Sequence, residues 1–106
     1  MIETTAISIQ SVKNSRLGEV DFSKVQFGKE FTDHMFLADF REGEWRNLRI
    51  VPYGKVLMSP ATPALHYGQS IFEGMKGFAG PENEILLFRP LSNLQRLNIS
   101  AERMCM

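Results

Sequence analysis

Arg96 is the residue whose type and position best suit chemistry with a charged ligand. Ser92, followed three residues later by Gln95, predicts the start of a helix that has Arg96 in its first turn. Backbone N–H groups at a helix start and a planar guanidinium both suit the binding of a phosphate. An arginine on an amphipathic helix is more often simply solvated, so the residues alone leave both interpretations open.

The segment 64–78 is denser in aromatic, glycine and polar residues than a plain core element, and it could line a pocket. Tyr67 and Phe72 are rigid apolar side chains that suit the wall of a small-molecule site, and Gly74 would let the backbone approach a ligand. Lys76 could be an amine nucleophile if it were desolvated. The plainer interpretation makes both aromatic residues part of the core and Lys76 a solvated side chain.

Other catalytic and metal-binding patterns are incomplete. Residues 68–70 begin like the nucleophile elbow of a serine hydrolase, but Phe72 stands where the closing glycine is needed. The later glycines match neither the dinucleotide-binding motif nor the P-loop. His34 and His66 are far apart and neither has a second ligand type at helical spacing, so no metal site is predicted.

Composition limits the class of protein. The 106 residues and 12.1 kDa allow one domain or part of one. Lys plus Arg and Asp plus Glu are 12 each, so nucleic acid is a poor ligand, while 43% hydrophobic residues predict that some core forms. The single cysteine, Cys105, is interpreted as a small buried hydrophobe and fits a reducing compartment such as the cytoplasm. No secretion signal or membrane-spanning stretch is recognised.

Short strands dominate the predicted elements. Alternation predicts a strand at residues 6–10, and Pro52, Pro60 and Pro63 predict short extended pieces rather than a helix in that part of the chain. Two antiparallel hairpins are predicted, one from residues 35–40 and 45–51, the other from residues 75–79 and 84–89. Residues 85–88 of the second hairpin are expected to form a well-buried strand.

A C-terminal helix completes an α+β fold, an antiparallel sheet with a few helices. Its apolar stripe is expected to consist of Leu94, Leu97, Ala101 and Met104. No glycine, asparagine or proline follows the last residue of the stripe, so the helix shows no end in the sequence. This pattern predicts a chain that is truncated inside an element.

Four separated blocks of the sequence match one enzyme family in order. They are Phe31–Met35, Ala64–Phe78, Leu87–Pro90 and Asn93–Leu97. Together they resemble the N-terminal region of branched-chain-amino-acid aminotransferases, which are pyridoxal-phosphate enzymes of fold type IV. The resemblance runs from about Phe27 to Met106 and is far more specific than any single motif.

The resemblance implies that residues 1–106 are part of the smaller N-terminal α+β domain, and that the large cofactor-binding domain is absent from this chain. The lysine that forms the Schiff base in the family would lie beyond the chain end. No lysine here matches it, so no catalytic residue is assigned, and the 106-residue fragment alone is expected to be inactive.

Carried over by motif position, Arg96 matches the arginine that contacts the cofactor phosphate. Tyr67 and Phe72, and with a less distinctive flanking block Phe27, match aromatic residues that line the substrate side-chain pocket. Gly74 and Lys76 are implied to lie close to the same site. An apolar pocket suits leucine, isoleucine and valine, because it gains roughly 0.8 kcal/mol per buried CH₂.

The implied reaction transfers the amino group of a branched-chain amino acid to 2-oxoglutarate, in an enzyme that forms a homodimer. The resemblance leaves two alternatives. One is a related enzyme of fold type IV, such as a D-amino-acid transaminase or an aminodeoxychorismate lyase. The other is a non-catalytic, stand-alone binding module, because a fold alone does not fix a function.

Overall fold

The computed structural model describes residues 6–106, which divide into two units with their boundary between Val56 and Leu57. The first unit contains β1 (Ser8–Ile9), a 3₁₀ turn (Leu17–Glu19), β2 (His34–Arg41) and β3 (Glu44–Pro52). The second contains α1 (Pro63–His66), β4 (Gly77–Ala79), β5 (Ile85–Leu87) and α2 (Pro90–Arg103). Small sheets and short helices together confirm the predicted α+β class.

The hairpin of β2 and β3 is the largest element of the first unit. The two strands pair antiparallel, with Phe36 opposite Ile50, and a β-bulge shifts the register between Leu37 and Asp39. Glu42 and Gly43 connect them with φ angles of 54° and 82°. Two consecutive residues with positive φ form the turn that matches the natural twist of a hairpin. The predicted hairpin is therefore confirmed, with its turn at the expected position.

The N-terminal strand is shorter than predicted and pairs in a different direction. Only Ser8 and Ile9 form β1, which lies parallel to β3 with Ser8 opposite Arg49. The backbone N–H of Gln10 also donates to the carbonyl of Ile50 at 2.9 Å. The sheet order is β1–β3–β2, so the sheet is mixed instead of purely antiparallel.

Asp33 fastens the segment before β2 to the loop that follows β1. The hydroxyl of Ser15 donates to its carboxylate at 2.6 Å, and the backbone N–H of Arg16 donates at 3.1 Å. These hydrogen bonds, first that from Ser15, hold the pKa of Asp33 below its ordinary value. The Arg16 guanidinium also donates to the carbonyls of Phe31 and Thr32. Asp33 thus has a structural role in this unit.

The hairpin of β4 and β5 is confirmed, but its predicted burial is wrong. The strands pair antiparallel with Phe78 opposite Leu86. Ile85 is 79% exposed and Phe88 is 78% exposed. No side chain among residues 6–106 is fully buried. Two strands this short cannot enclose an apolar face by themselves, and a core of the expected kind does not form within either unit.

Between the hairpins, the backbone is irregular. Residues 53–62 contain no strand, and of the extended pieces predicted there only the start pairs, where the N–H of Tyr53 donates to the carbonyl of Asp33 at 2.8 Å. The single-turn helix α1 begins at Pro63, where proline's fixed φ suits the first helical position. Neither α-helix in residues 6–106 is long and apolar enough to cross a membrane.

Helix α2 begins two residues before the predicted cap. Pro90 is its first residue, Arg89 precedes it with a left-handed φ of 49°, and Ser92 makes no capping box. Proline's missing N–H costs nothing at a helix start, so Pro90 outcompetes Ser92 as the initiating signal. Arg96 therefore lies in the second turn of α2, whereas the sequence analysis predicted it in the first turn.

The C-terminus of α2 is closed within the chain, which corrects the expectation of a helix without an end. Cys105 adopts a left-handed φ of 56°. Its N–H donates to the carbonyl of Glu102, and the N–H of Met106 donates to that of Ala101 at 2.9 Å. These two bonds form a Schellman motif without its usual glycine. Cys105 is exposed, so its interpretation as a buried hydrophobe is also wrong.

We predict that Gly43→Ala destabilises the β2–β3 hairpin by about 1 kcal/mol, because an L residue is strained at φ 82°. An added Cβ would meet no heavy atom within 4 Å, so the effect isolates backbone strain. Gly18→Ala is the matched control, since its surroundings are equally open and its φ is not in the left-handed region. Equal urea midpoints for the two variants would contradict the assignment of this turn.

We also predict that Cys105→Gly stabilises the end of α2 by about 1 kcal/mol, because glycine adopts the left-handed conformation without a Cβ penalty. Cys105→Ala keeps the Cβ and removes only the thiol, so it should leave the melting temperature nearly unchanged. A stabilisation of the same size in both variants would show that the thiol, and not the backbone, is responsible.

Candidate functional site

Residues 69–74 form neither helix nor strand and are hydrogen-bonded to α2 at both ends, in the direction antiparallel to the helix; we call them the extended segment. At one end, the Gln69 side-chain amide donates to the carbonyl of Met104 at 2.9 Å. At the other end, the side chain of Asn93 donates to the carbonyl of Gly74 at 2.8 Å. The helical stretch between these anchors spans about 16 Å, and the extended stretch spans about 16 Å as well. The segment therefore matches the helix in length.

Glu73 is the centre of the anchor near the start of α2. The Arg96 guanidinium donates to both carboxylate oxygens, from Nε to Oε2 at 2.7 Å and from Nη2 to Oε1. Asn93 donates to Oε1 at 3.2 Å, and the backbone N–H of Gly74 donates to the same oxygen at 3.1 Å. The Glu73 side chain is 10% exposed, whereas that of Arg96 is 67% exposed. We call Glu73, Asn93 and Arg96 the Glu73 cluster.

Both members of the ion pair stay charged at neutral pH. Hydrogen bonding to Arg96 is the main cause that lowers the pKa of Glu73 to about 2; partial burial opposes it and Asn93 adds to it. The same hydrogen bonds raise the pKa of Arg96 above its ordinary value. Because the carboxyl pKa is lowered, the interaction stabilises the folded state above about pH 4.5 and is lost as the pH falls towards 2.

Arg96 keeps a second binding edge. Its pair with Glu73 uses Nε and Nη2, which form one side of the planar guanidinium. The end formed by Nη1 and the other Nη2 hydrogen is a separate fork of parallel donors, and the side chain is mostly exposed. Such a fork matches two oxygens of a phosphate. The donor set at Arg96 therefore fits the phosphate of the cofactor that the sequence resemblance implied.

Tyr67 and Phe72 lie at or beside the anchored segment with their side chains exposed. Tyr67 caps α1, where its N–H donates to the carbonyl of Pro63 at 2.8 Å. Its side chain is 87% exposed and that of Phe72 is 91% exposed. The interpretation of these rings as core residues is therefore wrong. They are presented on the surface by backbone that polar contacts hold in place.

Gly74 and Lys76 follow directly along the chain. Both backbone groups of Gly74 are engaged by the Glu73 cluster, and an added Cβ would meet no heavy atom within 4 Å. The Lys76 ammonium lies 5.3 Å from the centre of the Phe78 ring, a cation–π distance. Lys76 is exposed, so the structure does not provide the desolvation that an amine nucleophile needs.

Phe27 belongs to the first unit, whereas the other predicted site residues belong to the second. It lies in a turn closed by a hydrogen bond from the N–H of Lys29 to the carbonyl of Gln26 at 3.1 Å. Gly28 next to it has a φ of 76°. The Phe27 ring is fully exposed at this turn.

A cavity of about 540 Å³ in the first unit contains none of the predicted site residues. Its apolar wall includes Leu17, Val20, Phe22 and Phe31. The stacked ring of Tyr53, 4.8 Å from that of Phe31, supports this wall from the start of the following loop.

The two histidines make structural hydrogen bonds. His34 Nε2 accepts from the N–H of Val12 at 3.1 Å, and His66 Nε2 donates to the carbonyl of Pro60 at 2.6 Å. In the part of the chain described here, no three side chains of His, Cys, Asp or Glu meet in an arrangement that could hold a metal ion.

Sequence reasoning gave no role to Glu73 or Asn93. Asn93 and Arg96 are three residues apart and therefore neighbours on one helix face, and Asn93 lies on the half-buried side that also contains Leu97 and Ala101. A half-buried asparagine beside an arginine is a signal for a carboxylate partner. The partner itself was not readable, because Glu73 is more than twenty residues away along the chain.

Comparison with known proteins identifies curated relatives of one kind, although no family model matches the chain. It is 39% identical over 104 residues to branched-chain-amino-acid aminotransferase 2 of Bacillus subtilis (strain 168), which is 97% of this chain and 28% of that protein. It is 46% identical over 87 residues to branched-chain-amino-acid transaminase 1 of the same organism, which is 81% of this chain and 24% of that protein.

A mammalian relative extends the similarity. The mitochondrial branched-chain-amino-acid aminotransferase of Bos taurus is 44% identical over 81 residues, which is 76% of this chain and 21% of that protein. The chain thus spans about a quarter of the length of the curated relatives it matches. Because 76–97% of the chain aligns with these relatives at 39–46% identity, and the aligned part is about a quarter of each relative, the chain belongs to the branched-chain-amino-acid aminotransferase family as a segment of its members.

Proposed function

We propose that these residues form part of a transaminase that moves the amino group of leucine, isoleucine or valine to 2-oxoglutarate. The observation that carries the proposal is the donor fork of Arg96, held by Glu73 and exposed for an anion. The names of the relatives support the choice of branched-chain substrates over those of other fold type IV enzymes.

Pyridoxal 5'-phosphate, when bound, would supply the electron sink that transamination requires. The role of this chain is to bind and orient. Arg96 would hold the phosphate through Nη1 and Nη2, because these donors are left over from its pair with Glu73. No residue of the chain is assigned as the proton-transferring base.

The aromatic side chains would supply one wall of the substrate pocket. Tyr67 and Phe72 are exposed, so contact with an aliphatic substrate would remove apolar surface of the rings and of the substrate from water. For Phe27, in the first unit, the same role is proposed from the sequence resemblance alone. A polar substrate side chain would lose hydrogen bonds at such a wall without replacement. Gly74 would allow close approach of the backbone, and Lys76 would lie at the edge of the site.

The active enzyme would be a homodimer, as the sequence resemblance implies. It would be cytoplasmic, because a single cysteine fits a reducing compartment. Residues 1–106 would belong to the smaller domain of each subunit. The large domain would then supply the lysine that binds the cofactor.

The first test is a transamination assay on the product of the gene, read through to its own stop codon. With leucine, 2-oxoglutarate and added pyridoxal phosphate, we expect glutamate to form. Isoleucine and valine should serve as donors, and aspartate should be far slower, because a carboxylate is penalised at an apolar wall. Absence of glutamate from all three branched-chain donors would refute the proposal.

The 106-residue chain by itself should form no glutamate in the same assay, even with saturating pyridoxal phosphate. The reason is that none of its lysines matches the family lysine that binds the cofactor. Glutamate formation by this chain would show that one of its own groups, Lys76 first among them, acts as the base.

Arg96→Lys should weaken cofactor binding by about tenfold or more, although it preserves the charge. Lysine is a single point charge and cannot serve Glu73 and a phosphate through two separate forks. The dissociation constant of pyridoxal phosphate, measured by absorbance titration of the gene product, checks this. Arg103→Lys on the same helix is the control and should bind normally.

A further inference from the structure

Glu73 accepts hydrogen bonds from Nε and Nη2 of Arg96, on one side of the guanidinium, and makes no contact with Nη1. From this arrangement we propose that Glu73 is a positioning residue, which fixes the Arg96 fork in the orientation that binds a phosphate. The inference rests on the proposed function and adds a residue to the site that the sequence resemblance did not assign.

The contrast in exposure supports this role. The Glu73 side chain is nearly covered, whereas Arg96 is two-thirds exposed. An exposed arginine samples many rotamers, and fixing one of them costs conformational entropy. A bidentate contact with a carboxylate that is itself held by two further donors removes that freedom before the ligand arrives.

The carboxylate is held by groups on two sides. Asn93 approaches from α2, and the N–H of Gly74 comes from the extended segment. Because the side chain of Asn93 also donates to the carbonyl of Gly74, the same contacts fix the backbone next to Phe72. Glu73 therefore connects the orientation of the phosphate donor to the placement of the proposed pocket wall.

Simple electrostatics and positioning predict opposite effects for Glu73→Gln. Removing a negative charge beside an anion site should strengthen phosphate binding if Coulomb forces decide. If Glu73 acts by fixing the fork, the loss of the charged bidentate contact should weaken binding instead. The sign of the change therefore distinguishes the two roles.

The test measures the dissociation constant of pyridoxal phosphate for the gene product, read through to its own stop codon, and the ³¹P NMR line of the bound phosphate. For Glu73→Gln we expect about tenfold weaker binding and a broader, shifted line, with little change in kcat at saturating cofactor. Glu82→Gln, which alters an exposed carboxylate in the β4–β5 turn by the same charge, should match the unaltered protein.

A double-mutant cycle tests whether Glu73 acts through Arg96. In an Arg96→Ala background, Glu73→Gln should cause no further loss of cofactor affinity, because the group to be positioned is gone. An equal loss in both backgrounds would mean that Glu73 only supports folding. Unchanged or tighter binding in the single variant would overturn the inference.

Asn93→Ala provides a second route if Glu73→Gln does not fold. It removes one donor to the carboxylate and leaves the ion pair, so a loss of a few-fold in cofactor affinity is expected. No loss of cofactor affinity in Asn93→Ala would contradict the positioning role.

The measurements also distinguish failure of this inference from failure of the proposed function. If the unaltered gene product and these variants all bind pyridoxal phosphate equally well, the inference fails and the proposed function stands. If the unaltered product binds none, the proposed function fails first.

Discussion

The contact between Glu73 and Arg96 organises the second unit because no apolar core is present to do so. A two-stranded sheet, a single-turn helix and one 14-residue helix bury no side chain fully. The extended segment 69–74 therefore depends on directional polar contacts at its two ends. Charge-assisted and bidentate hydrogen bonds are the strongest of these contacts, and they fix geometry as well as contributing energy.

Exposed aromatic residues are a consequence of the same constraint. Phe72 lies between Gln69 and Glu73, so its backbone is held from both sides while its ring remains in solvent. Many large apolar side chains of the described residues are exposed, and extensive apolar surface usually marks a place where another molecule or another part of the chain binds. In relatives about four times as long, further chain is present to share such surface.

The first unit shows how local signals set a register. The turn at Glu42 and Gly43 fixes which residues of β2 and β3 face each other, and the bulge after Leu37 adjusts the register along the strands. The sequence contained both the polar, glycine-containing turn and the apolar residues on either side of it, so the hairpin was predictable. The parallel pairing of Ser8 and Ile9 with β3 was not, because it joins residues far apart in the chain.

The sequence by itself determined the α+β class, the two hairpins, the existence of α2 and the family, because these depend on periodicity, turn residues and local motifs. It misjudged the start of α2 at Pro90, its closure at Cys105 and the burial of residues 85–88. Which of two possible residues begins a helix, and which strand is buried, depend on contacts that form only in the folded chain. The pairing of Glu73 with Arg96 was likewise decided by tertiary structure, since only the folded segment brings the two charges together.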